Sequence, residues 1–307
     1  MAKGKPSEPK LLVGHQGAVY DGVWHAGTGR WVTAGGDGVV AAWDPASPGT
    51  GEAWLHHGQP FFSLGTDGDW MHAGTDQGEW WAWRPAEARE PRRLLAHSRG
   101  IFALTPWAPG VLFTGGGDGR FAQWQWDEAG WVLLRDIPLP SGGKVRCLSP
   151  GPESLLIGTA ESGWGEWHVA TARWLHWEGA GGAYCAHWLA HKGAWLLGGR
   201  DGHLRVWHAH TPQETGLREI WSFPAHQGTV YRLVATPQAL WTASRDKTLK
   251  AWHPETLAPL ARIERIATGH TRSVNALAAR PLPGGDWELL SGGDDRRGQL
   301  HRVSDWL

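Results

Sequence analysis

Apolar residues along the chain come in short stretches separated by glycine-rich polar turns, and no apolar run reaches eighteen residues. Short stretches closed by tight turns predict many strands, few long helices and no membrane-spanning helix. The turns follow a pattern: a small-residue turn ends on an acid, and a tryptophan follows. The segments are Thr33-Ala-Gly-Gly-Asp37 to Trp43, His72-Ala-Gly-Thr-Asp76 to Trp83, and Thr114-Gly-Gly-Gly-Asp118 to Trp124. They continue with Ile157-Gly-Thr-Ala-Glu161 to Trp167, Leu197-Gly-Gly-Arg-Asp201 to Trp207, and Thr242-Ala-Ser-Arg-Asp246 to Trp252. In a seventh, Ser291-Gly-Gly-Asp-Asp295, His301 stands where the tryptophan would fall.

Subtracting positions, the six tryptophans lie 40, 41, 43, 40 and 45 residues apart, and the acid precedes each by six residues, or by seven in the second unit. A period of this length is that of a propeller blade, four short strands and their turns. A histidine lies upstream of most units, as in Gly14-His15, Ala96-His97, Ala225-His226 and Gly269-His270, with an apolar residue four positions on (Val19, Ile101, Val230, Val274). His57 stands four before Phe61, while Ser141 and Ala180 replace the histidine in units four and five. Trp31, Trp70 and Trp195 each lie six residues before the turn acid, an address on the second strand that predicts blade-to-blade packing.

Composition sharpens this. Glycine is 44 and tryptophan 24 of 307 residues, against 3 tyrosines and 2 methionines, which fits many turns and one repeated packing need. Lys and Arg number 29 against 30 acids, a formal net charge of -1, so no dedicated nucleic-acid surface is expected. The two cysteines, Cys147 and Cys185, exclude a disulfide framework and are expected as buried thiols in the first strands of units four and five. Residues 1–8 are read as a disordered polar tail without signal-peptide character, and 9–307 as the propeller, in a cytoplasmic protein.

Taken as a set, the histidines, turns, acids and tryptophans resemble the WD40-repeat family over about residues 9–306. The resemblance implies an all-β, seven-bladed β-propeller of four-stranded antiparallel blades with turn acids at 37, 76, 118, 161, 201, 246 and 295. It also implies closure by an N-terminal strand: the last unit lacks its outermost strand, and residues 9–13 have no blade of their own, so joining the two removes open sheet edges. A His, a Ser or Thr, an Asp and a Trp hydrogen-bond within one blade in this family. The full set is present in blade one (His15, Thr33, Asp37, Trp43), blade three (His97, Thr114, Asp118, Trp124) and blade six (His226, Thr242, Asp246, Trp252). Blades four and five lack both the histidine and the hydroxyl.

Constellations of His, Asp and Thr invite a hydrolase reading, but a catalytic set is built once and this one recurs, so no catalytic residue, cofactor or metal is assigned. His56-His57, His208-Ala-His210 and Trp167-His168 lack a carboxylate or thiol at ligand spacing. Function is sought where residues vary between blades. One such address follows the apolar position: Tyr20, Phe62, Phe102, Arg146, Cys185, Tyr231 and Asn275. The other precedes the turn acid: Gly36, Thr75, Gly117, Ala160, Arg200, Arg245 and Asp294. In WD-repeat proteins these addresses commonly line the channel mouth and contact partners. Aromatics on blades one to three beside an arginine arc (Arg146, Arg200, Arg245) suit a protein or peptide partner with an apolar anchor and an acidic flank, within a larger assembly. An alternative is a propeller enzyme or small-ligand or glycan-binding module using the central channel, with Trp164, Trp174 and Trp177 as sugar platforms.

Overall fold

The computed structural model describes residues 7–208, 218–264 and 269–307. Residues 1–6 of the expected tail, and His210, lie outside the described residues. The chain forms two compact units, Met1–Pro60 with Arg232–Leu307, and Phe61–Tyr231.

The first unit carries three four-stranded antiparallel sheets. One is β2 (Val19–His25), β3 (Arg30–Gly35), β4 (Val39–Trp43) and β5 (Gly51–His56), in that order. Another is β22 (Val230–Ala235, its first two residues counted with the second unit), β23 (Leu240–Ser244), β24 (Leu249–Trp252) and β25 (Pro259–Ile263). The third joins the two ends of the chain, with β1 (Lys10–Val13) beside β28 (Arg297–Arg302), then β27 (Trp287–Gly293) and β26 (Val274–Pro281). Register Lys10↔Leu300 to Val13↔Arg297 makes the N-terminal strand the fourth of the last sheet, and Leu12 is buried there at 1% exposure.

The second unit carries four sheets in sequence order. They are β6 (Phe61–Asp67), β7 (Trp70–Thr75), β8 (Glu79–Trp83) and β9 (Arg92–Leu95); then β10 (Ile101–Ala108), β11 (Val111–Gly116), β12 (Arg120–Asp127) and β13 (Gly130–Pro138). Next come β14 (Val145–Pro150), β15 (Ser154–Thr159), β16 (Trp164–His168) and β17 (Arg173–Glu178); then β18 (Cys185–Leu189), β19 (Ala194–Gly198), β20 (His203–His208) and β21 (Glu219–Pro224).

Burial explains why these sequences are strands. Second strands such as β15, β19 and β23 are buried at every residue and are mostly apolar, whereas fourth strands such as β5 and β13 are largely exposed. First strands of successive sheets lie against each other, β2 on β26 in one unit, and β6 on β10, β10 on β14 and β14 on β18 in the other. Tryptophans staple the sheets. Trp31 and Trp195 are fully buried, and their indole N–H groups donate to buried glutamates of the adjoining sheet, Trp31 to Glu288 at 2.9 Å and Trp195 to Glu166 at 3.2 Å. Each such ring removes roughly 200 Å² from water, about 5 kcal/mol of gross burial free energy. Among the described residues no helix is long and apolar enough to cross a membrane.

Candidate functional site

The recurrent polar set is a chain of buried hydrogen bonds. In blade one the Trp43 N–H donates to the Thr33 hydroxyl at 2.8 Å, that hydroxyl pairs with His15 Nε2 at 2.8 Å, and His15 Nδ1 lies 3.0 Å from Asp37. Because Nε2 accepts from the hydroxyl, Nδ1 carries the proton that Asp37 receives. Burial acts to raise the Asp37 carboxyl, but His15 and the Gln16 and Val39 N–H groups outweigh it and hold the pKa below the ordinary value. Blade three repeats the chain through Trp124, Thr114, His97 and Asp118 at 3.0, 2.9 and 3.1 Å. In blade six Trp252 donates to Thr242 at 2.9 Å. Blade seven builds the same set with Ser291: His270 lies 2.9 Å from Asp295 and 2.9 Å from Ser291, with His301 at 3.5 Å in the tryptophan's place. The glycine beside the pair is required sterically, since a Cβ at Gly35 would stand 2.2 Å from Asp37 Oδ1 and 2.4 Å from His15 Nδ1.

Blades four and five differ as their sequences imply. The Trp167 and Trp207 indole N–H groups are buried with no acceptor among the described residues. Asp201 is held from another direction: Arg205 of β20 binds it through both guanidinium nitrogens, Nη1 at 3.1 Å to Oδ1 and Nη2 to Oδ2. A Cβ at Gly199 would meet Asp201 Oδ1 at 2.6 Å and Arg205 Nη1 at 2.8 Å, so the guanidinium stands where the histidine stands beside Gly35. The Arg205 hydrogen bond first, against an opposing contribution from burial, brings the Asp201 pKa down to about 2.

The variable address after the apolar position is a β-bulge. Register shifts fall between Val19 and Asp21, Phe61 and Ser63, Ile101 and Ala103, Val145 and Cys147, and Val274 and Ala276. The skipped residues are Tyr20, Phe62, Phe102, Arg146 and Asn275, all half-buried, and a bulge re-aims the side chain at the end of a strand. In the second unit they meet. Phe62 and Phe102 stack with centroids 4.9 Å apart, and Arg146 lies over Phe102 at 4.3 Å and over Tyr184 at 5.7 Å. Tyr184 packs edge-on to Tyr231 at 5.8 Å, and Lys144 adds a second cation 5.6 Å from the Phe102 ring. In the first unit Asn275 donates to Asp294 at 2.7 Å and to the Val19 carbonyl at 3.3 Å. Burial, then Asp294, raises the Tyr20 hydroxyl. Arg245 is exposed on the turn between β23 and β24.

Two placements differ from the sequence reading. In blade five the face residue is Tyr184. Cys185 pairs with Gly198 as Cys147 pairs with Gly158, one residue beyond the face address, and is buried. The signal was the small buried Ala183 before Tyr184. In blade two Thr75 pairs with Phe61 as Gly35 pairs with Val19, so Asp76 sits at the Gly36 address on the face and Gln77 at the turn-acid address. The seven-residue spacing to Trp83 carried that shift. Of the three arginines, Arg146 is sandwiched by rings and Arg200 makes an ion pair with Glu161.

Cys147 and Cys185 are buried thiols, with Cys185 Sγ 3.5 Å from the Val230 carbonyl. Among the described residues no three His, Cys, Asp or Glu side chains gather as metal ligands. The expected sugar platforms pack inward: Trp164 is 5% exposed, Trp174 lies against Trp167 and Phe121, and the Trp177 N–H donates to Ser141 at 2.6 Å.

Residues 263–300 match the family model of the WD40 repeat (WD domain, G-beta repeat). No curated protein matches the chain. Among solved structures it is similar to the crystal structure of the WD40 β-propeller domain of Doa1, at TM-score 0.80 and 16% identity, covering 98% of this chain and 99% of that one. That likeness is one of fold. The seven four-stranded antiparallel sheets are the blades of a β-propeller, with the N-terminal strand in the last blade. The repeat match covers one stretch of the chain, and over its length the chain has the fold of a WD40 β-propeller.

Proposed function

We propose that the protein is a non-catalytic recognition subunit or scaffold of the cytoplasm that holds a protein or peptide partner on its bulge residues, within a larger assembly. The observation that carries this reading is the run Phe62, Phe102, Arg146, Tyr184, Tyr231, in which two pairs of half-buried rings flank one cation at the starts of successive blades. Aromatics and arginine are the side chains most enriched at interface hot spots, and the ring faces around Arg146 keep it positioned at low entropic cost. Asp76 adds an acceptor, since its Oδ1 is buried with no hydrogen-bond partner among the described residues. In the other unit Tyr20, Asn275, Arg245 and Asp294 hold the corresponding addresses and are proposed as contacts, as is Arg200. A partner with an apolar anchor and an acidic flank suits this set, and the WD-repeat resemblance implies the same use of these addresses.

Photocrosslinking tests the reading. A benzophenone amino acid at Phe102, introduced in cells of the source organism, should trap a defined partner that the same group at Leu134 on the exposed β13 does not. Trapping of nothing at Phe102, or of the same proteins at both positions, would overturn it.

A further inference from the structure

One address in the tight turns demands left-handed backbone, the residue just after the turn-acid position. Blades one, two, three and five fill it with glycine: Gly38, Gly78, Gly119 and Gly202 have φ of 76°, 82°, 77° and 81°. Blades six and seven place Lys247 and Arg296 there, at φ of 73° and 65°. The turn is the same, since the Lys247 N–H donates to the Ser244 carbonyl at 3.2 Å and the Arg296 N–H to the Gly293 carbonyl at 3.1 Å, as Gly38 does to Gly35. A side chain is strained in this conformation and glycine is not, and strain of this kind collects at functional positions. Both strained residues are cations.

Three more cations stand beside them. Arg245 shares the β23–β24 turn with Lys247, and Arg297 follows Arg296. Arg272 lies on a loop clasped to the β27–β28 turn, where the Thr271 N–H donates to Asp295 and the Asp294 N–H to the Ser273 carbonyl, both at 2.9 Å. Ala243 and Val274 belong to one buried cluster, which brings the β23–β24 turn and the loop entering β26 to the same end of the unit. All five cations are exposed, and among the described residues none is held in an ion pair. The three acids of these turns have partners of their own: Asp246 takes the Thr248 hydroxyl at 2.6 Å, Asp294 takes Asn275 at 2.7 Å, and Asp295 takes His270 at 2.9 Å.

We propose that this surface of blades six and seven binds an acidic stretch of a protein partner, a run of Asp or Glu side chains whose carboxylates accept from Arg245, Lys247, Arg272, Arg296 and Arg297. Four of the five are arginines, whose planar forks match carboxylates. Residues 244–248, 270–273 and 294–297 include no Phe, Trp, Tyr or aliphatic side chain, so the surface has nothing on which a base would stack and no wedge for a membrane. Cations spread over two turns suit several linked carboxylates better than one small anion. The surface shares only Arg245 with the bulge contacts, so the crosslink at Phe102 and the binding of an acidic peptide succeed or fail separately.

The test is the fluorescence anisotropy of labelled octaglutamate titrated with the whole protein. The expected result is saturable binding that weakens as salt rises. Lys247→Gly combined with Arg296→Gly installs the residue that other blades use, so the melting temperature should stay equal or rise while affinity falls about tenfold. Arg173→Gln combined with Lys192→Gln removes two exposed cations elsewhere and should leave affinity unchanged. Absence of saturable binding, a folded glycine variant that binds as the parent does, or equal losses in the two double variants would overturn the proposal. Tighter binding of an oligothymidylate of equal charge would also overturn it, marking the surface as one for nucleic acid.

Discussion

Thr33 and Thr114 each accept from a tryptophan and donate to a histidine through one hydroxyl, and the histidine donates its Nδ1–H to an aspartate. Every group in that chain is buried or nearly so, so removing one member strands the next without water to replace it. Asp118→Ala therefore leaves His97 Nδ1 unpaired and should lower stability by about 1–3 kcal/mol, seen as a melting temperature a few degrees lower. A melting temperature equal to the parent's would mean that the chain of bonds adds nothing. These residues were legible because their types recur at fixed spacing. Arg205 was not, because it reaches the acid from the following strand, and only the atoms around Gly199 show that it holds the histidine's place.

At the level of the strand, one skipped residue in the ladder decides which side chain faces a partner. The sequence located most bulges from the apolar residue before them, and failed where a loop is one residue off the common length, at Asp76 and Tyr184. The signals were slight, a seven-residue spacing to Trp83 in one unit and the small Ala183 in the other, and the strand pairing makes the shifts explicit. Blade seven offers a sharper case on β28. His301 is buried, and burial, then His270, brings its pKa down to about 3 from the ordinary 6.5. Between those values the unfolded chain takes up a proton that the folded protein refuses, so stability falls as pH drops from about 6.5 toward 3, by about 1.4 kcal/mol per pH unit for this group. His301→Trp, the residue the other blades use, should flatten the dependence of melting temperature on pH between 6.5 and 4.5. Parallel curves for variant and parent would refute it.

Across the whole molecule, the period of 40 to 45 residues and the unpaired segment at residues 9–13 were enough to anticipate seven four-stranded sheets and the pairing of β1 with β28. Both follow from elementary requirements, a buried face for every strand and no open sheet edge where the ends meet. Recognition by the bulge residues is the central claim, and one quantitative measurement addresses it most directly: affinity capture from source lysate with the parent and a Phe62→Ala, Phe102→Ala double variant matched for melting temperature. Both rings are half-exposed, so folding should survive. A specific set of proteins captured by the parent should fall at least tenfold with the variant, since two hot-spot aromatics each contribute more than about 1 kcal/mol. Capture of the same proteins in equal amounts would place the partner surface elsewhere and contradict the account.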